Sequence, residues 1–344
     1  MGGAPRVSSP AKFDVAIFKG KVIHDQVMRE PQACIELVKR AYLTHADGQS
    51  VNPDSYFLRF PHRPTSRIIA LPAWLGKGFD IAGLKWIASF PENVQRGFPR
   101  ASATLILNDD ATGYPVAILE SSIISAARTA ASAVLGAELL RGKREAKTLG
   151  IVGCGLISRY VYDFLIRTGW RIDGVQSFDT FAGEAERFNR ATVKADAHRT
   201  VTAAPSLEAL IKSSDLVLFA TTAPTPHVTD PSWFGHKPTV LHLSLRDLSP
   251  EVVLEAFNVT DDVEHVMKAS TSLHLTEQRE GNRRFVAGTV ADLVRGKIAP
   301  DPKRTSVFSP FGMGILDLAL GKWVLDTCRD RALVLDDFFY DLTR

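Results

Sequence analysis

A glycine-containing turn in the middle of the chain has the residues and spacing of a dinucleotide-binding loop. The segment 153–158 reads GCGLIS, which is the pattern G-x-G-x-x-S. In this pattern the first glycine makes a tight turn, and the second lets the backbone approach a pyrophosphate at the start of a helix. The third position needs only a small side chain, which Ser158 supplies. We predict that the turn binds a dinucleotide through Gly153, Gly155, Leu156 and Ile157.

Asp179 indicates which nucleotide this turn would bind. It ends the next predicted strand, where a carboxylate accepts hydrogen bonds from the hydroxyls of an adenosine ribose. The same charge would repel a 2′-phosphate, and residues 180–183 include no cation. The expected cofactor is therefore NAD rather than NADP. The alternative is an ordinary strand-to-helix turn followed by an unrelated surface aspartate.

Two more predicted strands end in polar residues, which would lie at the same edge of the sheet as the glycine turn and face a ligand crevice there. Thr222 follows one strand, and Ser244 ends another a few residues before Asp247. A carboxylate at this edge can take a proton from an amine as an imine forms. The alternative role for Asp247 is to cap the next helix. Ser249, followed by a proline, already has the features of that cap, so Asp247 is predicted to be free for chemistry.

Two cations in apolar surroundings are candidates for binding a carboxylate. Lys85 lies in the apolar run 81–88, where a buried lysine needs a partner, so it could bind a carboxylate or position a water molecule. The alternative is an edge-strand lysine that points to solvent. Arg128 lies in an alanine-rich helix whose small side chains allow a ligand to approach. An arginine on the solvated face of that helix is equally compatible with the composition.

The elements that must position these residues form two patterns along the chain. The first ~120 residues contain strand-length apolar runs at 66–71, 83–88 and 103–107, separated by turn signals that include Leu71-Pro72. A long helix is predicted over 121–141. Strands then alternate with helices, which predicts a buried parallel sheet. The strands are predicted at 148–153, 174–179, 215–221 and 239–245, and the helices at 156–168, 183–193, 206–212, 312–324 and 331–339.

Composition excludes several classes of function. The 344 residues contain 41 Lys and Arg against 38 Asp and Glu, a net charge of +3, which is too small for binding nucleic acid by neutralising phosphates. No apolar run approaches the roughly 18 residues of a membrane span. Three scattered cysteines and widely spaced histidines predict no disulfide framework and no metal site. His242, inside an apolar strand, is expected to be a satisfied core residue. We predict a soluble, cytoplasmic protein.

Several segments resemble the ornithine cyclodeaminase/mu-crystallin family over nearly the whole chain. They are GLKW at 83–86, SAARTAA at 125–131, the glycine turn, and Arg246-Asp247. Within the family, TSRIIALPAWL at 65–75, TSLHLTEQ at 271–278 and SPFGMGILDLAL at 309–320 are similar to the N-(2-amino-2-carboxyethyl)-L-glutamate dehydrogenases of siderophore pathways.

The resemblance implies an α/β fold with two domains and a set of site residues. A Rossmann domain would span 128–311, and residues 1–127 and 312–344 would form an α+β domain for substrate binding and homodimerisation. Asp247 would be the acid/base residue, with Lys85 beside it in catalysis. Arg59, Lys85 and Arg128 would bind the substrate, with the nearby Arg63 and Arg67 as alternatives to Arg59. Arg246, which replaces a glycine of the family beside Asp247, is a candidate for a further substrate carboxylate, and Phe311 would also contact the substrate. The cofactor would also contact Thr104, Arg128, Thr222 and Ser244.

The implied reaction is NAD-dependent oxidative hydrolysis of a polyanionic N-substituted glutamate, giving 2-oxoglutarate and 2,3-diaminopropionate. Ornithine cyclisation is less well supported, because the family's glutamate is replaced within Ile68-Ile69-Ala70 and its glycine-rich stretch by Ser244-Leu245-Arg246. The alternatives are a cyclodeaminase-like lyase or a cyclic imino acid reductase. A further alternative is a non-catalytic NAD(P)H-dependent binder of small ligands, like mu-crystallin.

Overall fold

Two β-sheets, with helices packed on them, make up the computed structural model, which describes residues 13–339. The first sheet contains β1 (Val15–Phe18), β2 (Ser50–Val51), β3 (Tyr56–Phe60), β4 (Arg63–Leu75), β5 (Ile81–Ser89), β6 (Ala101–Asp109), β7 (Pro115–Glu120) and β16 (Leu333–Leu335). The second contains β8 (Glu145–Val152), β9 (Arg171–Phe178), β10 (Thr200–Ala203), β11 (Leu216–Phe219), β12 (Thr239–His242), β13 (Phe257–Thr260), β14 (Val286–Thr289) and β15 (Ser306–Phe308).

Eleven α-helices accompany these strands in the described residues. They are α1 (Gly20–Arg29), α2 (Pro31–Ala46), α3 (Ser122–Arg141), α4 (Leu156–Arg167), α5 (Glu184–Ala191), α6 (Leu207–Ser213), α7 (Pro250–Glu255), α8 (Val263–Val266), α9 (Ser272–Glu280), α10 (Val290–Val294) and α11 (Gly314–Thr327).

The first sheet is mostly antiparallel and has the strand order β16-β1-β7-β6-β5-β4-β2, with β3 also paired to β4. Only β1 and β7 pair in parallel. Helix α11 packs on β4, β5 and β6, so it covers one face of this sheet. The end of the chain therefore returns to the first sheet, both through α11 and through the pairing of β16 with β1.

The second sheet is parallel throughout, in the order β10-β9-β8-β11-β12-β15-β13-β14. Strand β8 lies between β9 and β11, so the strand order reverses at the glycine turn that follows β8. Ligands of open α/β sheets bind in the crevice at such a point. The predicted fold class, a Rossmann-type parallel sheet plus an α+β part, is confirmed. The proposed domain boundaries at 127/128 and 311/312 stay predictions.

Helix α3 lies between the two sheets, because it contacts α2 and α11 as well as α4, β12 and β15. Its length and composition would allow it to cross a membrane, which corrects the expectation that no apolar run is long enough. However, 67% of its apolar window is buried inside the protein. The apolar composition of α3 is therefore explained by its place in the core.

Two local predictions are wrong. A turn was expected at Leu71-Pro72, but β4 runs through it. β3 pairs with β4 only as far as Ala70 and β2 begins to pair at Trp74, so Pro72 lies where β4 has a partner on one side alone. An edge position tolerates the missing N–H of proline. The helix expected over 331–339 is instead the short strand β16, followed by a turn, because β1 offers an open edge for pairing.

Candidate active site

The predicted dinucleotide turn joins β8 to α4 and has the strained geometry that glycine permits. Gly153 has φ of +88°, and a Cβ atom at this position would lie 2.7 Å from the carbonyl oxygen of Ala220. Its N–H donates to the carbonyl of Phe178 over 2.9 Å, which ties the turn to the end of β9. Ser158 is buried, and its hydroxyl donates to the Gly153 carbonyl, so a small residue is needed there.

Gly155 is different, because a Cβ atom added there would meet nothing within 4 Å. No side chain caps the start of α4, where Gly155 is the N-cap and Leu156 is 38% exposed. An open space in front of uncapped helical N–H groups fits the pyrophosphate of a dinucleotide. The residues present therefore fit the expected cofactor.

Asp179 holds the turn together from the end of β9. Its Oδ2 accepts from the Cys154 N–H over 2.8 Å, and its Oδ1 accepts from the Phe181 N–H over 3.0 Å. The carboxylate thus lies beside the glycine turn, as the sequence predicted. Arg187, on the helix that follows this loop, is paired with Glu184, so its charge is already neutralised within the protein.

A small cavity of about 10 Å³ opens at the carboxyl ends of β12 and β15. His242, Ser244 and Phe311 line it together with residues at the start of α9. The structure thus brings together two residues that the sequence assigned separately, Ser244 to the cofactor and Phe311 to the substrate. Thr222 follows β11 and is exposed, in the loop next to this edge of the sheet.

Asp247 belongs to a buried hydrogen-bond network beside the cavity. Its Oδ1 accepts from the Thr221 hydroxyl, and its Oδ2 lies 3.2 Å from Nε2 of His242. His242 Nδ1 in turn lies 3.0 Å from the Ser309 hydroxyl. Burial opposes ionisation, but the bonds from His242 and Thr221 outweigh it and hold the pKa of Asp247 below its usual value. The carboxyl is therefore ionised at neutral pH.

This network corrects the prediction that Asp247 is free. Asp247 has no exposed surface, and both of its oxygens have partners. His242 is a buried, satisfied residue as predicted, but it also joins Asp247 to the cavity that it lines. His227 is the partly exposed neighbour, with Nε2 3.8 Å from Oδ1 of Asp247. The sequence contained the spacing H-x-x-x-x-D at 242–247, but nothing in it showed that the two side chains meet.

Lys85 is buried, and it is paired within the protein. Its Nζ donates to Oδ2 of Asp317 on α11 over 2.7 Å, and both side chains are 2% exposed or less. Burial lowers the pKa of Lys85 to about 8, while the charge of Asp317 raises it and that of Arg128 lowers it. The alternative of a solvent-facing lysine at a sheet edge is wrong, since β5 lies between β4 and β6.

Asp317 also faces Arg128, whose Nε lies 3.6 Å from Oδ1. The sequence analysis missed Asp317, although an acidic residue in the apolar run ILDLAL was as unusual as Lys85. A Cβ atom on Gly312 would lie 2.5 Å from Nη1 of Arg128, so this guanidinium packs against the loop that carries Phe311. Lys85 and Arg128 are thereby connected to the cavity near His242.

Three arginines approach the same region, two from strands of the first sheet and one from the loop after β12. Arg59 on β3 pairs directly with Arg67 on β4, and Arg67 lies four residues before Leu71, the partner of Lys85. Side chains alternate along a strand, so Arg59, Arg67 and Lys85 point to one face of the sheet. Arg246 comes from the second sheet, next to Asp247, and its charge contributes to lowering the pKa of Arg67. The two sheets therefore meet at these arginines.

Thr104 is the predicted site residue that the structure does not bring to the others. It pairs with Trp86, the neighbour of Lys85, so it points to the opposite face of the first sheet. It is exposed there. The contact of Thr104 with the cofactor stays a prediction, and in this fold Thr104 lies on the face opposite Lys85, because one residue of register exchanges the two faces.

Within residues 13–339 no group of three or more His, Cys, Asp or Glu side chains is placed to hold a metal ion. The three cysteines are free and buried. Burial, reinforced by the charge of Asp179, raises the pKa of the Cys154 thiol in the glycine turn to about 12, so this thiol is not a ready nucleophile.

The fold and site define a class of protein: a two-sheet protein with a Rossmann-type glycine turn and a buried group of two cations that share one carboxylate. Residues 21–332 match the ornithine cyclodeaminase/mu-crystallin family. The chain belongs to this family, which confirms the prediction from the sequence.

Three similar proteins illustrate the family. The N-((2S)-2-amino-2-carboxyethyl)-L-glutamate dehydrogenase of Staphylococcus aureus is 28% identical over 84% of this chain and 88% of its own length. The Thermococcus litoralis Delta(1)-pyrroline-2-carboxylate reductase, solved with NADH and L-proline, has a TM-score of 0.83 at 22% identity and covers 92% of this chain and 99% of its own. An archaeal alanine dehydrogenase dimer with bound NAD has a TM-score of 0.81 at 23% identity, covering 95% and 100%. The predictions of an oxidoreductase and of NAD as cofactor agree with these relatives.

Proposed function

We propose that the protein is an NAD-dependent oxidoreductase that acts on the CH–NH group of an N-substituted amino acid. Its substrate would be N-(2-amino-2-carboxyethyl)-L-glutamate, which it would cleave to 2-oxoglutarate and L-2,3-diaminopropionate for siderophore or related biosynthesis. The observation that carries this proposal is the buried group of Lys85, Arg128 and Asp317, in which two cations share one carboxylate beside the loop that carries Phe311. Arg246, from the second sheet, adds a further cation whose charge acts on Arg67. The relative from Staphylococcus aureus supports the particular substrate.

The substrate carries three carboxylates, and this number explains why several cations are needed. A carboxylate left unpaired in a water-poor crevice would cost several kcal/mol. Arginine suits the task because its planar fork can hold a carboxylate through two hydrogen bonds. A monocarboxylic substrate would leave much of the positive charge in the crevice unmatched.

The proposed reaction is an oxidation of the C–N bond followed by its hydrolysis. NAD held at Gly153, Gly155 and Asp179 would supply the oxidant, a hydride acceptor for the α-carbon of the glutamate half. The amine loses a proton as the C=N bond forms. Water then adds to this bond, and the C–N bond breaks to release a ketone and a primary amine. The total is substrate, NAD⁺ and water giving 2-oxoglutarate, 2,3-diaminopropionate, NADH and a proton.

The chain's own residues would bind and move the proton in this scheme. Lys85 and Arg128, both beside Asp317, would hold the α-carboxylate. Ionised Asp247 would accept the amine proton through His242 or His227, since it has no surface of its own. Gly153, Gly155 and Asp179 would hold the pyrophosphate and the adenosine ribose.

One assay tests the reaction. The protein is incubated with NAD⁺ and the glutamate adduct, while NADH is followed by absorbance and 2-oxoglutarate and 2,3-diaminopropionate are measured separately. We expect one NADH for each 2-oxoglutarate formed. Absence of NADH formation, together with ammonia release from ornithine or NADH consumption by a cyclic imino acid, would assign the protein to the lyase or the reductase instead.

A different result would identify the protein as a non-catalytic binder of NAD(H) and a small ligand. If the protein bound NAD(H) and a small ligand but turned over none of these substrates, and Asp247→Asn bound both normally, the protein would be a binder. The buried and ionised Asp247 beside the cavity favours an enzyme, because an ionised carboxylate is costly to bury without a role.

The protein is also proposed to be a cytoplasmic homodimer. The face of the first sheet opposite Lys85 exposes large apolar side chains, with Tyr56 69%, Leu58 47% and Trp86 42% exposed. Such a patch on a mainly antiparallel sheet indicates an interaction surface. A second copy of the chain is the proposed occupant, as the archaeal alanine dehydrogenase of the same fold is a dimer.

A further inference from the structure

Four arginines lie close enough together for the charge of Arg67 to interact with the charges of the other three. They are Arg59, Arg67, Arg100 and Arg246. Ten of the twenty other arginines in the described residues, Arg141 and Arg283 among them, form ion pairs with carboxylates. Among the described residues, no carboxylate lies within 4 Å of the side-chain nitrogens of these four. A concentration of positive charge without an internal anion indicates that the anion comes from a ligand.

Arg67 is at the centre of this group. It is half-buried, and its Nε is a buried donor without a hydrogen-bond partner in the described part of the chain. Burial and the charges of Arg246 and Arg59 lower its pKa, yet an arginine stays protonated at neutral pH. A buried guanidinium with an unused donor costs free energy unless a ligand provides the acceptor.

Arg100 is held near Arg67 by a hydrogen bond. Its Nη1 donates to the hydroxyl of Ser89 over 2.7 Å, and Ser89 pairs with Arg67 in the sheet. Arg246 is held as well, because it donates to the carbonyls of Ala269 and Ser270. These two residues have φ of +55° and +53°, a conformation that non-glycine residues rarely adopt. The loop therefore presents its carbonyls to Arg246 at a conformational cost.

We propose that Arg67 and Arg100, together with Arg246, form a second anion subsite that binds the carboxylates remote from the oxidised carbon. Lys85 and Arg128 share Asp317 and hold the near carboxylate. Arg67 in the first half of β4, Arg100 just before β6 and Arg246 in the loop after β12 select a substrate with further carboxylates. This inference rests on the proposed function, since it assigns the substrate class of the same site. It makes Arg67, until now only an alternative to Arg59, and Arg100 determinants of specificity.

Steady-state kinetics with matched substrates tests the subsite. Arg67→Gln and Arg100→Gln should each raise KM for the glutamate adduct at least about tenfold with little change in kcat, because ionic hydrogen bonds to the ground state are lost. With N-(2-aminoethyl)-L-alanine, which lacks both remote carboxylates, the same variants should behave like the parent protein. Arg67→Lys should give an intermediate KM, since it keeps the charge but loses the planar fork.

Arg96→Gln is the matched control, because Arg96 is exposed in the same connection between β5 and β6 that carries Arg100. Equal losses on both substrates, or no loss on the adduct, would overturn the subsite. Arg100→Gln keeps the test valid if Arg67→Gln fails to fold, because Arg100 lies outside the strands.

A binding measurement separates this inference from the proposed reaction. Propane-1,2,3-tricarboxylate is titrated into the protein by calorimetry, with propionate as the monocarboxylate comparison. Tricarboxylate binding that is weakened by Arg67→Gln and Arg100→Gln but retained by Arg96→Gln supports the subsite even if the adduct is not turned over. Turnover of the adduct with no effect of either substitution on tricarboxylate binding would reject the subsite and leave the proposed reaction standing.

Discussion

At the scale of single residues, the role of each buried charge depends on the charges that it is paired with. Lys85 and Asp317 form one buried ion pair, and Arg128 lies against the same carboxylate. A buried pair of this kind adds little stability on its own, because both charges lose their hydration. The one negative charge facing two cations leaves a net positive charge, which is suited to a carboxylate from outside.

The pH dependence of catalysis should report the Lys85–Asp317 pair. Charged Lys85 is needed to bind a carboxylate, so kcat/KM should fall as pH rises through the pKa of about 8. The charge of Asp317 raises this pKa, so Asp317→Asn should move the fall to lower pH. Asp326→Asn, at an exposed ion pair on the same helix, is the control and should leave the profile unchanged. An unshifted profile in Asp317→Asn, with the protein folded by circular dichroism, would contradict the pairing.

Substitution of Asp247 should separate chemistry from binding. Asp247→Asn keeps the shape but cannot accept a proton, so kcat should fall by about 10²-fold or more. NADH affinity, measured by fluorescence, should change by less than about threefold, because the glycine turn is intact. Thr221→Val removes one bond to the carboxylate and should cause a smaller loss. A fully active Asp247→Asn would exclude Asp247 from proton transfer.

At the scale of elements, the strand–turn–helix unit formed by β8 and α4 uses its two glycines for different reasons. Gly153 is required by the fold, since its φ is +88° and the Ala220 carbonyl leaves no room for a Cβ atom. Gly155 has φ of −91°, which any residue can adopt, and open space in front of it. Its small size is useful only for a ligand.

Two substitutions should therefore have opposite effects. Gly153→Ala should destabilise the protein by about 1–3 kcal/mol through strain and the clash with Ala220. Gly155→Val should leave the melting temperature nearly unchanged but weaken NAD binding at least tenfold, because the side chain would occupy the place of the pyrophosphate. Thermal unfolding and NADH titration measure the two effects. Loss of stability in Gly155→Val with normal NADH binding would contradict this division.

At the scale of the whole molecule, the two faces of the first sheet have different surroundings. One face is covered by α11 and carries Lys85, and the other exposes Leu58 and Trp86. The first face serves the proposed crevice, so the second is available to another copy of the chain.

Charges on the exposed face should therefore prevent dimer formation. Leu58→Glu with Trp86→Glu should convert the protein to a monomer, as measured by light scattering coupled to gel filtration. Phe181→Glu, which is 76% exposed near the glycine turn, should leave the mass unchanged. A parent protein that is already monomeric at micromolar concentration would reject the proposed dimer.

The sequence by itself determined the parallel sheet, the glycine turn with Asp179, the long helix α3 and the family. These features depend on local spacing: the period of apolar residues, and a glycine where φ is positive. The tertiary structure decided the rest, since Asp317 and Lys85 are 232 positions apart and meet only when α11 packs on β5. It also decided that Asp247 is hydrogen-bonded to His242 and that Thr104 points away from Lys85. It brought Arg67 and Arg246 close enough for their charges to interact. Contacts between distant segments depend on packing and on register, which no local pattern encodes.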